Sequence, residues 1–306
     1  MQDYQFPPQA KIAYAHLQVS DLEESLKFYQ GILGLHIVSE SEEAIYLSPT
    51  GQTPYLIALT ERKGATTQQH FATGLYHIAI RYPDRPALAN AVLKLLQIGW
   101  PLQGASDHGV SEAIYLPDPD GLGIELYRDR PQIEWPKQGD QIAMISAPLD
   151  INDLLTEVSQ HNGAYNIHPD TDLGHIHLKV SNLANTERFY NQLLGLDVTQ
   201  RDYPGALFLS AGGYHHHVGA NTWNSENAKP PADDAVGLLS YAFALPDEIS
   251  WRAAIKRLQT NQIELEDFQV TDLGSTVILR DFDHIAIEIT LPGKKIGLET
   301  LQRLET

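Results

Sequence analysis

AHLQVSDLEESLKFYQGILGL, residues 15–35, returns as IHLKVSNLANTERFYNQLLGL at residues 176–196. A constant offset of 161 carries His16 to His177, Val19 to Val180, Ser20 to Ser181, Tyr29 to Tyr190 and Gly34 to Gly195. A register kept over so many unlike residues marks an internal repeat. A second pair is interleaved with the first. LYHIAIRYPD from Leu75 matches LLSYAFALPD from Leu238, and DPDGLGIEL from Asp118 matches DFDHIAIEI from Asp281, both at an offset of 163 that takes Pro83 to Pro246 and Glu125 to Glu288. The chain therefore reads as four units, at residues 10–65, 72–130, 172–225 and 237–292.

Each unit has the same internal order. In the first, Ile12–Val19 reads as a strand, and Ser20 with Glu23 three residues on reads as a capping box that starts a helix. Leu22, Leu26, Tyr29 and Leu33 give that helix a buried face, and Gly34 is placed to end it. Strands at Ala44–Leu47 and Tyr55–Leu59 follow. In the second unit Pro86 suits a first helical turn, Leu88, Val92 and Leu95 form the apolar stripe, and Gly99 closes it. Ala113–Leu116 and Gly123–Arg128 are its last strands, joined by an Asp-Pro-Asp-Gly turn. One such βαβββ module cannot bury both faces of its sheet, so modules must pair. The expected fold is α+β: four βαβββ modules forming paired cup-like mixed sheets with helices outside and a ligand inside a cup.

By position along the chain this gives an N-terminal domain at 8–130, a linker at 131–171, a C-terminal domain at 172–292 and a tail at 293–306. The linker holds an amphipathic stretch, Leu149–Val158, expected to form a short helix.

Composition narrows the chemistry. The 306 residues carry 39 acidic and 21 basic side chains, a net charge of -18 that repels phosphate backbones and anionic membrane surfaces. Neither a nucleic acid nor a membrane is expected as a partner. Without cysteine there is no disulfide, thiolate metal site or catalytic thiol, so any metal must sit on His, Asp or Glu. No apolar run approaches the roughly 20 residues that span a bilayer, and a cytoplasmic location is the expectation.

The succession of modules resembles the vicinal-oxygen-chelate superfamily, which contains glyoxalase I, bleomycin-resistance proteins and extradiol dioxygenases. The resemblance implies metal ligands on the first and last strands of each unit. Those positions are His16, His77, His177 and Ser240 on the first strands, and about Ala58, Glu125, His217 and Glu288 on the last. A lone strand histidine is more often structural; recurrence at matched positions changes that reading. The run from His108 through Ile114, Tyr115, Asp118, Pro119 and Gly121 to Glu125 resembles the extradiol ring-cleavage signature, with Ser106 as its one departure. Gly74–His77, Gly123–Tyr127, Gly174–Leu178 and Gly212–His217 are similar to runs of two-domain catechol 2,3-dioxygenases.

Two sets of cups can be built from the units. Pairing one with two would make His16 the third ligand beside His77 and Glu125. Pairing two with three puts every role in one cup: His77, Glu125 and His177 as ligands, with His217 as acid–base residue and His108 and Tyr115 as hydrogen-bond donors. The second pairing is favoured because it leaves one whole site and one empty cup.

The resemblance then implies an extradiol dioxygenase acting on an aromatic diol with O2. A His, His, Glu set suits iron(II), with manganese(II) as the alternative. Two other classes stand beside it: a metal-dependent glyoxalase-type isomerase or lyase, and a non-catalytic small-molecule-binding protein. A homo-oligomer is compatible with this reading.

Overall fold

The computed structural model describes residues 4–158, 165–271 and 273–297. Its strands form two large mixed sheets and one two-stranded ribbon, Lys137–Gln138 with Gln141–Ile142. The first sheet has eight strands, in the order Asp267–Thr271, Gly274–Arg280, Ala286–Pro292, Gly237–Ala244, Lys11–Val19, Ile57–Glu61, Ile45–Ser48 and His36–Glu40. The second has nine, in the order Ala147–Pro148, Gly104–Asp107, Ser111–Pro117, Gly123–Asp129, Gly74–Tyr82, Asp172–Lys179, Val218–Asn221, Ala206–Ser210 and Asp197–Gln200. Units one and four make the first sheet; units two and three make the second. This is the pairing favoured from the distribution of ligand-type residues. Each sheet takes one unit from either half of the chain.

Apolar residues on the outer faces explain why the sheets hold together. Leu88, Val92 and Leu95 of the helix Arg85–Ile98 are buried in one cluster with Ile78, Ile80 and Leu126, and the same cluster runs on through both sheets to Leu17, Val19, Ile176 and Leu178. Each such side chain contributes roughly 1.5–3 kcal/mol on burial. The inner face of the second sheet instead carries His77, Glu125, His175, His177 and Lys179, all buried. Period-2 alternation along the strands separates the two faces.

The helices start on a repeated device. Asp21, Asp84, Asn182 and Asp247 each follow a strand and accept a hydrogen bond from the amide three residues on, a cap that stabilises a helix by about 1 kcal/mol. In unit one the cap is thus Asp21 rather than the expected Ser20. Ser20 donates its amide to Asp120 at 2.9 Å and its hydroxyl to the same carboxylate, charge-assisted bonds that commit it to the neighbouring Asp-Pro-Asp-Gly turn rather than to the helix amides. Gly99 does end its helix, in the left-handed conformation at φ 69°. The linker carries a short helix, Ile151–Leu155. The tail expected from 293 lies outside the described residues from 298 onward.

Two irregularities in the central pairing of the second sheet aim its inward side chains. Asp172–Lys179 and Gly74–Tyr82 are antiparallel with His177 opposite His77 and His175 opposite Ala79, but the register shifts between Leu173 and His175 and again between His177 and Leu178. Gly174 and Tyr76 are the residues skipped. Bulges of this kind bend a strand and re-aim its neighbours. Gly174 is required there, since a Cβ would lie 1.5 Å from the Tyr127 hydroxyl.

Candidate metal centre

Three donors converge on the inner face of the second sheet. His77 lies on Gly74–Tyr82, Glu125 on Gly123–Asp129 and His175 on Asp172–Lys179. His77 Nε2 is 2.8 Å and His175 Nε2 is 3.1 Å from Glu125 Oε2. Among the described residues these three form a His/Glu group whose ligand atoms all lie within 4.8 Å of one another. All three are buried.

Electrostatics favours a cation at this point. Burial by itself would raise the Glu125 carboxyl, but the neighbouring imidazoles of His175, which hydrogen-bonds it, and His77 outweigh burial and hold the group well below the usual carboxylate range. Burial pushes His175 down to about 4, against the pull of Glu125. At neutral pH the ionised carboxylate therefore accepts from the Nε2–H of a neutral His175, and that nitrogen becomes a lone-pair donor to a cation once the proton moves to Nδ1, which is buried without a partner. His77 Nε2, although close to Glu125, has no hydrogen bond of acceptable geometry and is a buried orphan. Leaving such an atom unmet costs about 1–3 kcal/mol, and a divalent ion held by two nitrogens and one oxygen would meet it. The donor set fits the group.

A cavity of about 370 Å³ opens over the three donors. His108, Tyr115, His216, Tyr203, Phe208 and Trp223 contribute to its walls. His108 Nδ1 lies 2.7 Å from the Ile145 carbonyl, which can only accept, so Nδ1 carries the proton; Nε2 then accepts from the Tyr115 hydroxyl at 2.7 Å. Burial and the neighbouring Glu125 push the Tyr115 phenol well above its ordinary range, so it remains a proton-bearing donor.

Five of the residues singled out from sequence thus reach the cavity: His77, Glu125, His177, His108 and Tyr115. Two placements differ from the expectation. His175, not His177, completes the three-donor group. The residues are on one strand two apart and share a face, and the 161 offset drew attention to His177 because it matches His16. His177 stands beside the group, its ring 4.9 Å from that of His77 and its Nε2 buried without a partner. The visible signal was the GHIHL run, which puts two histidines on the inner face.

The second difference concerns the triple histidine. The resemblance gives the acid–base role to His217, but the strand begins only at Val218, and residues 211–217 lie outside any strand. His216 lines the cavity, its ring 4.0 Å from that of His175. His217 is turned away: its Nδ1 accepts from the Ala211 amide at 3.2 Å and lies 2.9 Å from the Ser210 hydroxyl.

The first sheet repeats the geometry without the donors. Tyr14 is opposite Ala242 as His175 is opposite Ala79, His16 is opposite Ser240 as His177 is opposite His77, and Ala242 pairs with Glu288 as Ala79 pairs with Glu125. Ser240 and Tyr14 therefore take the places of His77 and His175, and both hydroxyls donate to Glu288.

Comparisons with known proteins agree with this architecture. A catechol-2,3-dioxygenase of Bacillus subtilis (strain 168) is 38% identical over 268 residues, 85% of this chain and 93% of that protein. A lactoylglutathione lyase of Haemophilus influenzae is 30% identical over 131 residues, which is 39% of this chain and 93% of the relative. In structure, a putative dioxygenase from Bacillus subtilis superposes with a TM-score of 0.67 at 14% identity, covering 94% of this chain and 86% of the other. Maize glyoxalase I does so with a TM-score of 0.56 at 15% identity over 97% and 96% of the two chains. The model of the Glyoxalase/Bleomycin resistance protein/Dioxygenase superfamily matches residues 11–126 and 172–289, and the chain belongs to that superfamily.

Proposed function

We propose that the protein is an extradiol ring-cleaving dioxygenase that opens a catechol-type diol with O2, and that His77, Glu125 and His175 hold its metal, iron(II). The observation that carries this reading is the convergence of two imidazole nitrogens on one oxygen of a buried carboxylate, at the floor of a cavity walled by a histidine and a tyrosine. The relative that is similar along most of the chain is itself a catechol-2,3-dioxygenase.

An iron(II) on two histidines and one carboxylate supplies open coordination positions for a bidentate diol and dioxygen, and electron transfer between them. The chain's own residues do the rest. His216 has one ring nitrogen, Nδ1, engaged by His215 at 2.8 Å, which leaves Nε2 for the cavity. Burial and the surrounding histidines hold its pKa well below the ordinary value, so it enters the reaction as a neutral base able to take a proton from a diol hydroxyl. Tyr115 carries a phenol proton that can shift from His108 to an oxygen of the substrate as negative charge develops there. Phe208, Tyr203 and Trp223 offer ring faces and edges that orient a planar substrate and exclude water.

The test is oxygen uptake. Protein loaded anaerobically with iron(II) consumes O2 with a panel of catechols and forms the coloured ring-opened product. No uptake on any diol, with bound iron verified by elemental analysis, contradicts the dioxygenase reading. Isomerisation of a glutathione hemithioacetal in the same preparation would favour the glyoxalase-type alternative.

A further inference from the structure

Behind the cavity wall, His216 is the end of a buried chain of polar groups. His215 is fully buried and lies between His216 and Asp129: its Nε2 is 2.8 Å from Asp129 Oδ1, and its Nδ1 is 2.8 Å from His216 Nδ1. Asp129 is itself held in place. Arg81 donates to it at 3.0 Å while forming a two-bond pair with Asp172, and the Tyr214 hydroxyl donates to the same carboxylate at 3.0 Å. The rings of Trp135 and Tyr127 close His215 off, at centroid distances of 5.2 and 6.2 Å.

Proton positions along this chain follow from donor and acceptor capacity. An ionised carboxylate only accepts, so His215 Nε2 bears the hydrogen. Where both rings are neutral each has a single N–H, so His215 Nδ1 is a lone pair and His216 Nδ1 is the donor to it. The remaining nitrogen of His216 is then bare. From this geometry we infer that Asp129 and His215 are positioning residues for ring cleavage, fixing the tautomer of His216 so that an unprotonated Nε2 is presented to the substrate. Neither touches the cavity, since neither is among its lining residues. Without the chain, a neutral His216 is free to carry its proton on Nε2, where it could no longer act as a base. The inference rests on the reading of His216 as the acid–base residue.

The experiment measures tautomer and rate separately. Two-bond proton–nitrogen NMR correlations of the histidines are recorded on protein loaded with diamagnetic zinc(II), with His216 assigned by its absence from His216→Ala. Steady-state rates are taken on iron(II)-loaded protein with metal content measured. The parent shows a protonated Nδ1 and a bare Nε2. Asp129→Asn moves proton occupancy toward Nε2 and lowers kcat on the order of 10²-fold, with KM within about twofold and metal retained. Tyr214→Phe, which removes another partner of Asp129 and leaves the chain intact, keeps the parent tautomer. Should Asp129→Asn fail to fold, His215→Phe breaks the same link within a pocket already lined by rings, and the same shift is expected. An unchanged His216 tautomer in these variants overturns the inference whatever the rate. A shifted tautomer with kcat at the parent level supports the positioning chain and instead refutes the assignment of His216 as the base.

Discussion

Tyr14 stands in the first sheet where His175 stands in the second, each opposite an alanine that pairs with a glutamate, and the Tyr14 hydroxyl donates to Glu288 where His175 Nε2 approaches Glu125. With Ser240 donating to the other oxygen, Glu288 is satisfied by two hydroxyls and needs no cation. One protein thus carries a ligand set and its hydrogen-bonded substitute on the same scaffold.

This relationship predicts that the second set can be reverted. Tyr14→His combined with Ser240→His restores two imidazoles around Glu288, and metal per chain should rise from about one to about two ions by elemental analysis. Either single substitution leaves only two protein ligands, which hold a labile ion poorly, and should stay near the parent value. A double variant that still binds about one ion would show that the first sheet is not an equivalent frame.

The triple histidine gives a second prediction. His216→Ala removes a side chain facing the cavity and should keep its metal while losing kcat by on the order of 10²-fold. His217→Ala should turn over near the parent rate, because its ring faces Ser210 and Ala211. Its cost is in stability, about 1–3 kcal/mol for the orphaned buried amide. Denaturation and steady-state rates on the two variants separate these roles, and the reverse pattern would restore His217 to the site.

Tyr115→Phe tests the donor pair. The substitution keeps the ring and removes the hydroxyl that now bonds His108, so metal binding should be unchanged and kcat should fall about 10-fold to 10²-fold. An unchanged kcat would mean that the phenol serves only to position His108.

Acid should destabilise the metal-free protein in a defined window. His175 and His217 titrate in the folded protein at about 4 and about 3, against an ordinary value of 6.5, in both cases chiefly through burial. The folded state therefore binds fewer protons than the unfolded one. Their contribution to stability is present above 6.5 and is lost as pH falls through the folded values. Melting temperature measured from pH 7 to pH 4 should fall steadily, and the fall should be smaller in His217→Ala. Asp118 and Asp281, pushed up by burial to about 7 and about 6, act in the opposite sense over the same range, so the test is the difference between the two profiles: a parent and a His217→Ala profile of equal slope would contradict the burial of a neutral His217.

The repeat made the fold readable, because a register held between His16 and Gly34 and again between His177 and Gly195 leaves few alternative architectures. The pairing of units was readable from the uneven distribution of ligand-type residues. The choice between His175 and His177 was not. Both face inward, and the irregular pairing at Gly174 and Tyr76 decides which reaches Glu125; no local pattern announces such a bulge. His216 was hidden for a related reason: alternation applies only within a strand, and the strand starts one residue after His217. The hydroxyl-for-imidazole replacements at Tyr14 and Ser240 were half visible, since Ser240 stood out as the missing histidine while Tyr14 matched nothing until His175 was placed.

The most direct test of the account is the metal content of His175→Ala beside His177→Ala, after identical anaerobic iron(II) loading and with folding verified by circular dichroism. Both substitutions remove a buried inward histidine from the same strand, so general destabilisation affects them alike. The account predicts that His175→Ala loses most of its iron while His177→Ala retains about one ion per chain. Iron retained in His175→Ala and lost from His177→Ala would contradict it and move the third ligand two residues along the strand.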